Sequence, residues 1–138
     1  MTRSPFEVRP IGRVESTLVD RDAAPKQGYE GSPEAWLVFD ADVGVGLRDL
    51  RVDSEVIVLT WLDRARRDVL AVHPRDDPSN AETGVFSTRS QDRPNPIGLH
   101  RVHIVEISGL RVRVRDLEAL DGTPIVDVKA VLDRPGER

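Results

Sequence analysis

The residues best suited to chemistry lie in two adjoining runs. Gly84-Val85-Phe86-Ser87-Thr88-Arg89-Ser90 is followed by Arg93-Pro94-Asn95-Pro96-Ile97-Gly98-Leu99. Two prolines two residues apart cannot sit inside a sheet. They fix an extended backbone and bias Arg93 and Asn95, which precede them, away from helix. Gly98 then permits a close approach or a positive φ. A segment this rigid holds Arg89, Arg93 and Asn95 in fixed directions, and planar guanidinium forks suit anions. Rigid loops on a β scaffold are common binding sites. The same stretch also fits a plain crossover between strands.

Asp116-Leu117-Glu118-Ala119-Leu120-Asp121-Gly122-Thr123-Pro124 gathers three carboxylates near an Asp-Gly turn signal. Asp121 or Thr123 can satisfy backbone donors locally. Asp116 or Glu118 can instead accept hydrogen bonds from a ribose or an amino group. By composition, Ala24-Pro25-Lys26-Gln27-Gly28 is a loop. His100 and His103 stand three apart on one extended run and face opposite sides, so they cannot share a metal on one strand face. Each reads as a surface or half-buried histidine. No P-loop, dinucleotide fingerprint or Ser-His-Asp arrangement is present.

Elements with a period of two must position these groups. Strand signatures run over 10–16, 35–39, 55–62, 69–73, 85–88, 97–107, 110–114 and 125–132. Turn residues divide them at 25–28, 31–33, 74–79, 108–109 and 121–122. Short helical turns are expected over 46–51, 63–68 and 116–120. Many short strands with frequent turns predict an all-β sandwich or small barrel. The chain reads as one domain over 1–138, with 133–138 as a frayed tail.

Composition narrows the function. The chain has 138 residues and a formal net charge of −4. It has no cysteine, which excludes a disulfide scaffold, a thiolate metal site and a Cys nucleophile. No apolar run reaches the length of a membrane span, and the first residues lack a signal-peptide core. A cytoplasmic protein is expected. Eighteen of the 20 basic residues are Arg, the exceptions being Lys26 and Lys129. Between Trp61 and Arg115, ten Arg stand against seven acidic residues. That locally basic stretch on an acidic chain suits a negatively charged substrate, or else forms solvated strand faces.

These runs resemble the TsaA-like (TrmO, YaeB/VirR) family. The resemblance rests on Gly84 to Ser90, on Arg93 to Leu99 and on Leu120-Asp121-Gly122-Thr123-Pro124-Ile125-Val126-Asp127-Val128-Lys129, with Ile11-Gly12-Arg13-Val14-Glu15-Ser16 fitting the first strand. It spans about the whole chain. It implies a small single-domain antiparallel β-barrel and a homodimer, with S-adenosyl-L-methionine bound near the subunit interface. The implied reaction is N6-methylation of threonylcarbamoyl-adenosine at position 37 of threonine tRNA, with no metal and no membrane. Carried over by position, the cofactor contacts fall on Pro25, Lys26, Gln27, Asp63, Arg64, Arg89, Leu99, Arg115, Asp116, Leu117 and Glu118. Arg93, Asn95, Asp121 and Thr123 are the candidate substrate contacts, and no catalytic base is assigned.

Within that resemblance, Arg89 suits the cofactor carboxylate or a tRNA phosphate as a bidentate fork. Glu118 or Asp116 suits the ribose hydroxyls, and Leu99 the adenine. The chain departs from the family pattern in three places. Ser54-Glu55-Val56-Ile57 replaces a Ser-His-aromatic stretch, Asp63 replaces His, and Lys129-Ala130-Val131 replaces Lys-Pro-Tyr. The larger bacterial members carry a further C-terminal domain. A methyltransferase acting on a small molecule and a non-catalytic cofactor-binding module are the alternative expectations.

Overall fold

The computed structural model describes residues 5–21, 24, 25 and 28–132. Eight strands follow one another: β1 (Gly12–Glu15), β2 (Ala35–Phe39), β3 (Glu55–Trp61), β4 (Ala71–Val72), β5 (Thr83–Gly84), β6 (Ile97–Ser108), β7 (Arg111–Arg115) and β8 (Pro124–Ala130). Six of them close an antiparallel barrel in the order β1-β2-β7-β6-β3-β8, and β4 pairs with β5 outside it. Closure rests on the short β1–β8 seam, where Gly12 meets Ile125 and Arg13 meets Pro124. The expected all-β barrel is the observed fold.

Alternation explains the barrel. Along β7, Val112 and Val114 are fully buried while Arg111 and Arg113 face outward. Those two guanidiniums flank the Trp36 ring on the neighbouring strand, at 5.0 and 5.6 Å from its centroid. They also reach Glu15 and Glu106. Several arginines of the basic stretch are therefore paired outer-face residues. Inside, Val14, Leu37, Val58, Val102, Ile104 and Ile125 are excluded from solvent. Each such side chain contributes roughly 1.5–3 kcal/mol by leaving water.

Five local expectations are corrected. Residues 85–88 do not extend as a strand: Val85–Ser87 is a 3-10 turn closed by Thr88 N–H donating to the Val85 carbonyl. Residues 63–68 and 116–120 form no helix: the first is a series of turns and bends, and the left-handed backbone of Asp116 (φ 72°) interrupts the second at its start. In the third region, 3-10 helix covers Ala41–Leu47, earlier than the expected 46–51. The expected strand over 69–73 shrinks to Ala71–Val72. The expected tail, 133–138, lies outside the described residues.

Candidate functional site

A cleft opens where the N-terminal end of β6 meets the loops 62–64, 89–93 and 118–123. Its floor comes from Gly98 and His100, inward residues of β6, and from Thr123. Ile97, Leu99, Leu62 and Leu120 give it apolar walls, and Arg64, Arg89, Arg93 and Glu118 bring charge.

The loop over 85–96 is shaped by Arg93. Its Nε donates to the Ser90 carbonyl at 2.8 Å, and its Nη2 donates to the carbonyls of Val85 and Thr88, each at 2.6 Å. The guanidinium thus gathers three carbonyls of the 85–90 segment onto one side chain. Arg67 performs a similar task at the far end, donating to the Pro94 carbonyl at 2.7 Å and to Asn95 Oδ1 at 3.0 Å while lying over Trp61. Asp92 ties this loop to its neighbours by accepting from Arg21 Nη2 at 2.9 Å and from the Arg66 N–H at 2.8 Å. Burial pushes the Asp92 carboxyl up, but these hydrogen bonds and the Arg21 charge outweigh it and leave the pKa below its ordinary value. Arg89, by contrast, is exposed and makes no hydrogen bond or ion pair with any described residue.

Opposite stands Glu118. At the end of β7 the chain turns through Asp116 in the left-handed region (φ 72°), which sends Leu117 into the barrel core and Glu118 toward the cleft. His100 Nδ1 lies 2.6 Å from Glu118 Oε1, and His100 Nε2 lies 2.7 Å from Thr60 Oγ1. Thr60 is fully buried and the His100 side chain is 2% exposed, against 16% for Glu118. Thr60 faces Gly98 across β3 and β6. A register shift between β3 and β8 falls between Leu59 and Thr60, and such irregularities re-aim side chains near sites.

Of the residues expected at a site, the cleft brings together Asp63, Arg64, Arg89, Arg93, Leu99, Glu118 and Thr123. Arg64 is held by donating to the carbonyls of Val19 and Asp121. Pro25 follows Ala24, which lines the cleft, and is not itself in the lining. Lys26 and Gln27 lie outside the described residues. Arg115 is exposed away from the lining, Asp116 forms the bend, and the Leu117 side chain is core. Asn95 is engaged by Arg67. Asp121 Oδ1 accepts from the Ser16 N–H, and Thr123 Oγ1 donates to the Leu120 carbonyl, so both shape the turn. His100, read from sequence as a surface or half-buried residue, is instead buried at the cleft floor. The one local signal for it was Gly98, two positions earlier on the same face.

Among the described residues no group of three or more His, Cys, Asp or Glu is arranged to hold a metal ion. No helix among them is long and apolar enough to cross a membrane.

Comparison with known proteins matches residues 13–134 to a family model described as the tRNA-methyltransferase O N-terminal domain. An S-adenosyl-L-methionine-binding protein of Archaeoglobus fulgidus is 42% identical over 123 residues, 88% of this chain and 86% of that protein. A probable S-adenosyl-L-methionine-binding protein of Methanothermobacter thermautotrophicus is 40% identical over 129 residues, 94% of this chain and 92% of that one. A longer probable S-adenosyl-L-methionine-binding protein of Archaeoglobus fulgidus is matched over only 33% of its own length, again at 42% identity and over 89% of this chain. The crystal structure of TrmO from Pseudomonas aeruginosa superposes with a TM-score of 0.75 at 25% identity, over 98% of this chain and 61% of that one.

Proposed function

The chain belongs to the tRNA-methyltransferase O N-terminal domain family, and we propose that it binds S-adenosyl-L-methionine in the cleft at the mouth of its barrel and methylates N6 of an adenine in tRNA. The acceptor on this reading is threonylcarbamoyl-adenosine at position 37 of threonine tRNA. The observation that carries it is the pairing, across one cleft, of an unpartnered guanidinium with a supported carboxylate. Arg89 has no described partner, and Glu118 has one oxygen held by His100 and the other without a partner among the described residues.

The residues fit the group chemically. The cofactor has an amino-acid carboxylate, a ribose diol and an adenine, and supplies a methyl group on a sulfonium. Arg89 binds the carboxylate as a charge-assisted fork. Glu118 accepts from ribose hydroxyls, and Leu99 and Ile97 give the adenine an apolar wall. Arg64, held by two backbone carbonyls, adds positive charge at the same rim. These residues orient donor and acceptor, and in-line positioning supplies most of what such a transfer needs. No side chain is assigned as a base for the amine proton.

A second protomer fits the outer face of β6, where Ile97 and Leu99 remain 49% and 47% exposed beside the cleft. Sedimentation at micromolar concentration tests this homodimer, and a monomer there removes it.

The test of function is transfer of a labelled methyl group from S-adenosyl-L-methionine to threonine tRNA at low salt. Product that is N6-methylated supports the reading. No transfer to any tRNA pool overturns it. The net charge of −4 favours one second reading, a small-molecule acceptor. Phosphate contacts make tRNA affinity fall steeply with salt, so activity indifferent to salt selects the small molecule.

A further inference from the structure

We propose that His100 is a positioning residue for Glu118, and that the Thr60–His100–Glu118 chain presents the second carboxylate oxygen of Glu118 to a vicinal hydroxyl pair. The proposal rests on the cofactor reading above and names a residue that reading did not use. Three side chains from three parts of the sequence form one line. Thr60 Oγ1 lies 2.7 Å from His100 Nε2, and His100 Nδ1 lies 2.6 Å from Glu118 Oε1. Thr60 and His100 are buried, His100 at the cleft floor, and the carboxylate is the most exposed of the three.

The hydrogen-bond roles follow from the ends. An ionised carboxylate only accepts, so Nδ1–H donates to Glu118. In the tautomer with hydrogen on Nδ1, Nε2 accepts and the Thr60 hydroxyl donates to it. Each ring nitrogen has a hydrogen-bond partner. A glutamate has three side-chain torsions, and anchoring one oxygen in advance removes much of the ordering cost of binding. Oε2 carries no hydrogen bond from any described residue, and Glu118 lines the cleft. A carboxylate held this way accepts from adjacent ribose hydroxyls, the same chemistry an acidic residue performs in dinucleotide sites. Asp116, the other carboxylate considered for this role, lies at the bend and not in the cleft lining.

The experiment is calorimetric titration with S-adenosyl-L-homocysteine and with its 2′-deoxy and 3′-deoxy counterparts. Three variants separate the contacts. His100→Gln keeps an amide near Thr60 and loses the donor to Glu118. His100→Asn keeps a donor near the Nδ1 position. Thr60→Val retains the shape and removes the hydroxyl. His100→Gln is expected to weaken the parent ligand about ten- to hundredfold, the worth of one hydrogen bond to a charged group. His100→Asn recovers part of this, and Thr60→Val costs about two- to fivefold. At least one deoxy counterpart binds wild type and His100→Gln alike. Equal weakening of parent and both deoxy ligands overturns the proposal, because it makes His100 merely structural. If His100→Gln does not fold, the same comparison with Thr60→Val decides. Failure of wild type to bind the parent ligand overturns the cofactor reading, and this inference with it.

Discussion

A β-carbon added to Gly98 would stand 2.4 Å from the Thr60 hydroxyl oxygen and 2.6 Å from His100 Nε2. Gly98 therefore makes room for the buried Thr60–His100 contact, and its backbone has no positive φ to explain it otherwise. Gly98→Ala forces the two side chains apart inside a packed barrel. The expected cost is about 1–3 kcal/mol of stability, as for other overpacked cores. Chemical denaturation measures it. A change within about 0.5 kcal/mol, the range of an ordinary surface substitution, contradicts the close approach.

Arg93 lies within the site and acts there through the loop. Its donors are committed to the carbonyls of Val85, Thr88 and Ser90. Arg93→Met leaves those carbonyls without their donor and is expected to destabilise by about 2–4 kcal/mol. Arg93→Lys restores the charge but not the planar fork, so it recovers only part. Denaturation midpoints of the two variants check the order. Full recovery by Lys would mean that charge alone holds the loop.

Arg89 is expected to behave in the opposite way. It is exposed and unpartnered among the described residues, so Arg89→Ala leaves the unfolding midpoint close to wild type. Cofactor affinity should fall by about 1.5–3 kcal/mol if Arg89 makes a charged hydrogen bond. Titration calorimetry reads this directly. A loss under about 0.5 kcal/mol would remove Arg89 from the binding role.

The contrast between Arg93 and Arg89 shows what was legible in the sequence. The Pro94-Asn95-Pro96 frame correctly announced a rigid loop, because proline chemistry is local. Which arginine supports that loop and which faces the cleft depended on carbonyls eight residues away. Alternation exposed β6 and β7 because one face of each packs inside the barrel. It misread Val85–Ser87, where three apolar or small residues fold into a turn tied back to Leu70 and Arg93. The His100–Glu118 pair was hidden for a further reason. It needs the register that sets Thr60 opposite Gly98 and the left-handed bend at Asp116, and neither is a property of a short window.

Asp92 gives the pH dependence. Its folded pKa lies below the ordinary 3.8: burial opposes the shift, and the Arg21 and Arg66 hydrogen bonds prevail. A depressed carboxylate binds its proton less readily when folded than when unfolded. Its contribution is therefore complete above the unfolded pKa and lost as pH falls through the folded one. Asp92→Asn removes both the charge and the pull on Arg21, which joins the loop at 89–93 to the segment before residue 24. The variant should be less stable than wild type at pH 7, and the gap should begin to close as pH falls toward 4 and narrow further below it. Urea denaturation of both proteins at pH 7, 5, 4 and 3 tests this. A gap independent of pH would assign the effect of Asp92 to its shape and hydrogen bonds, and would remove its charge from the account of how the cleft is held.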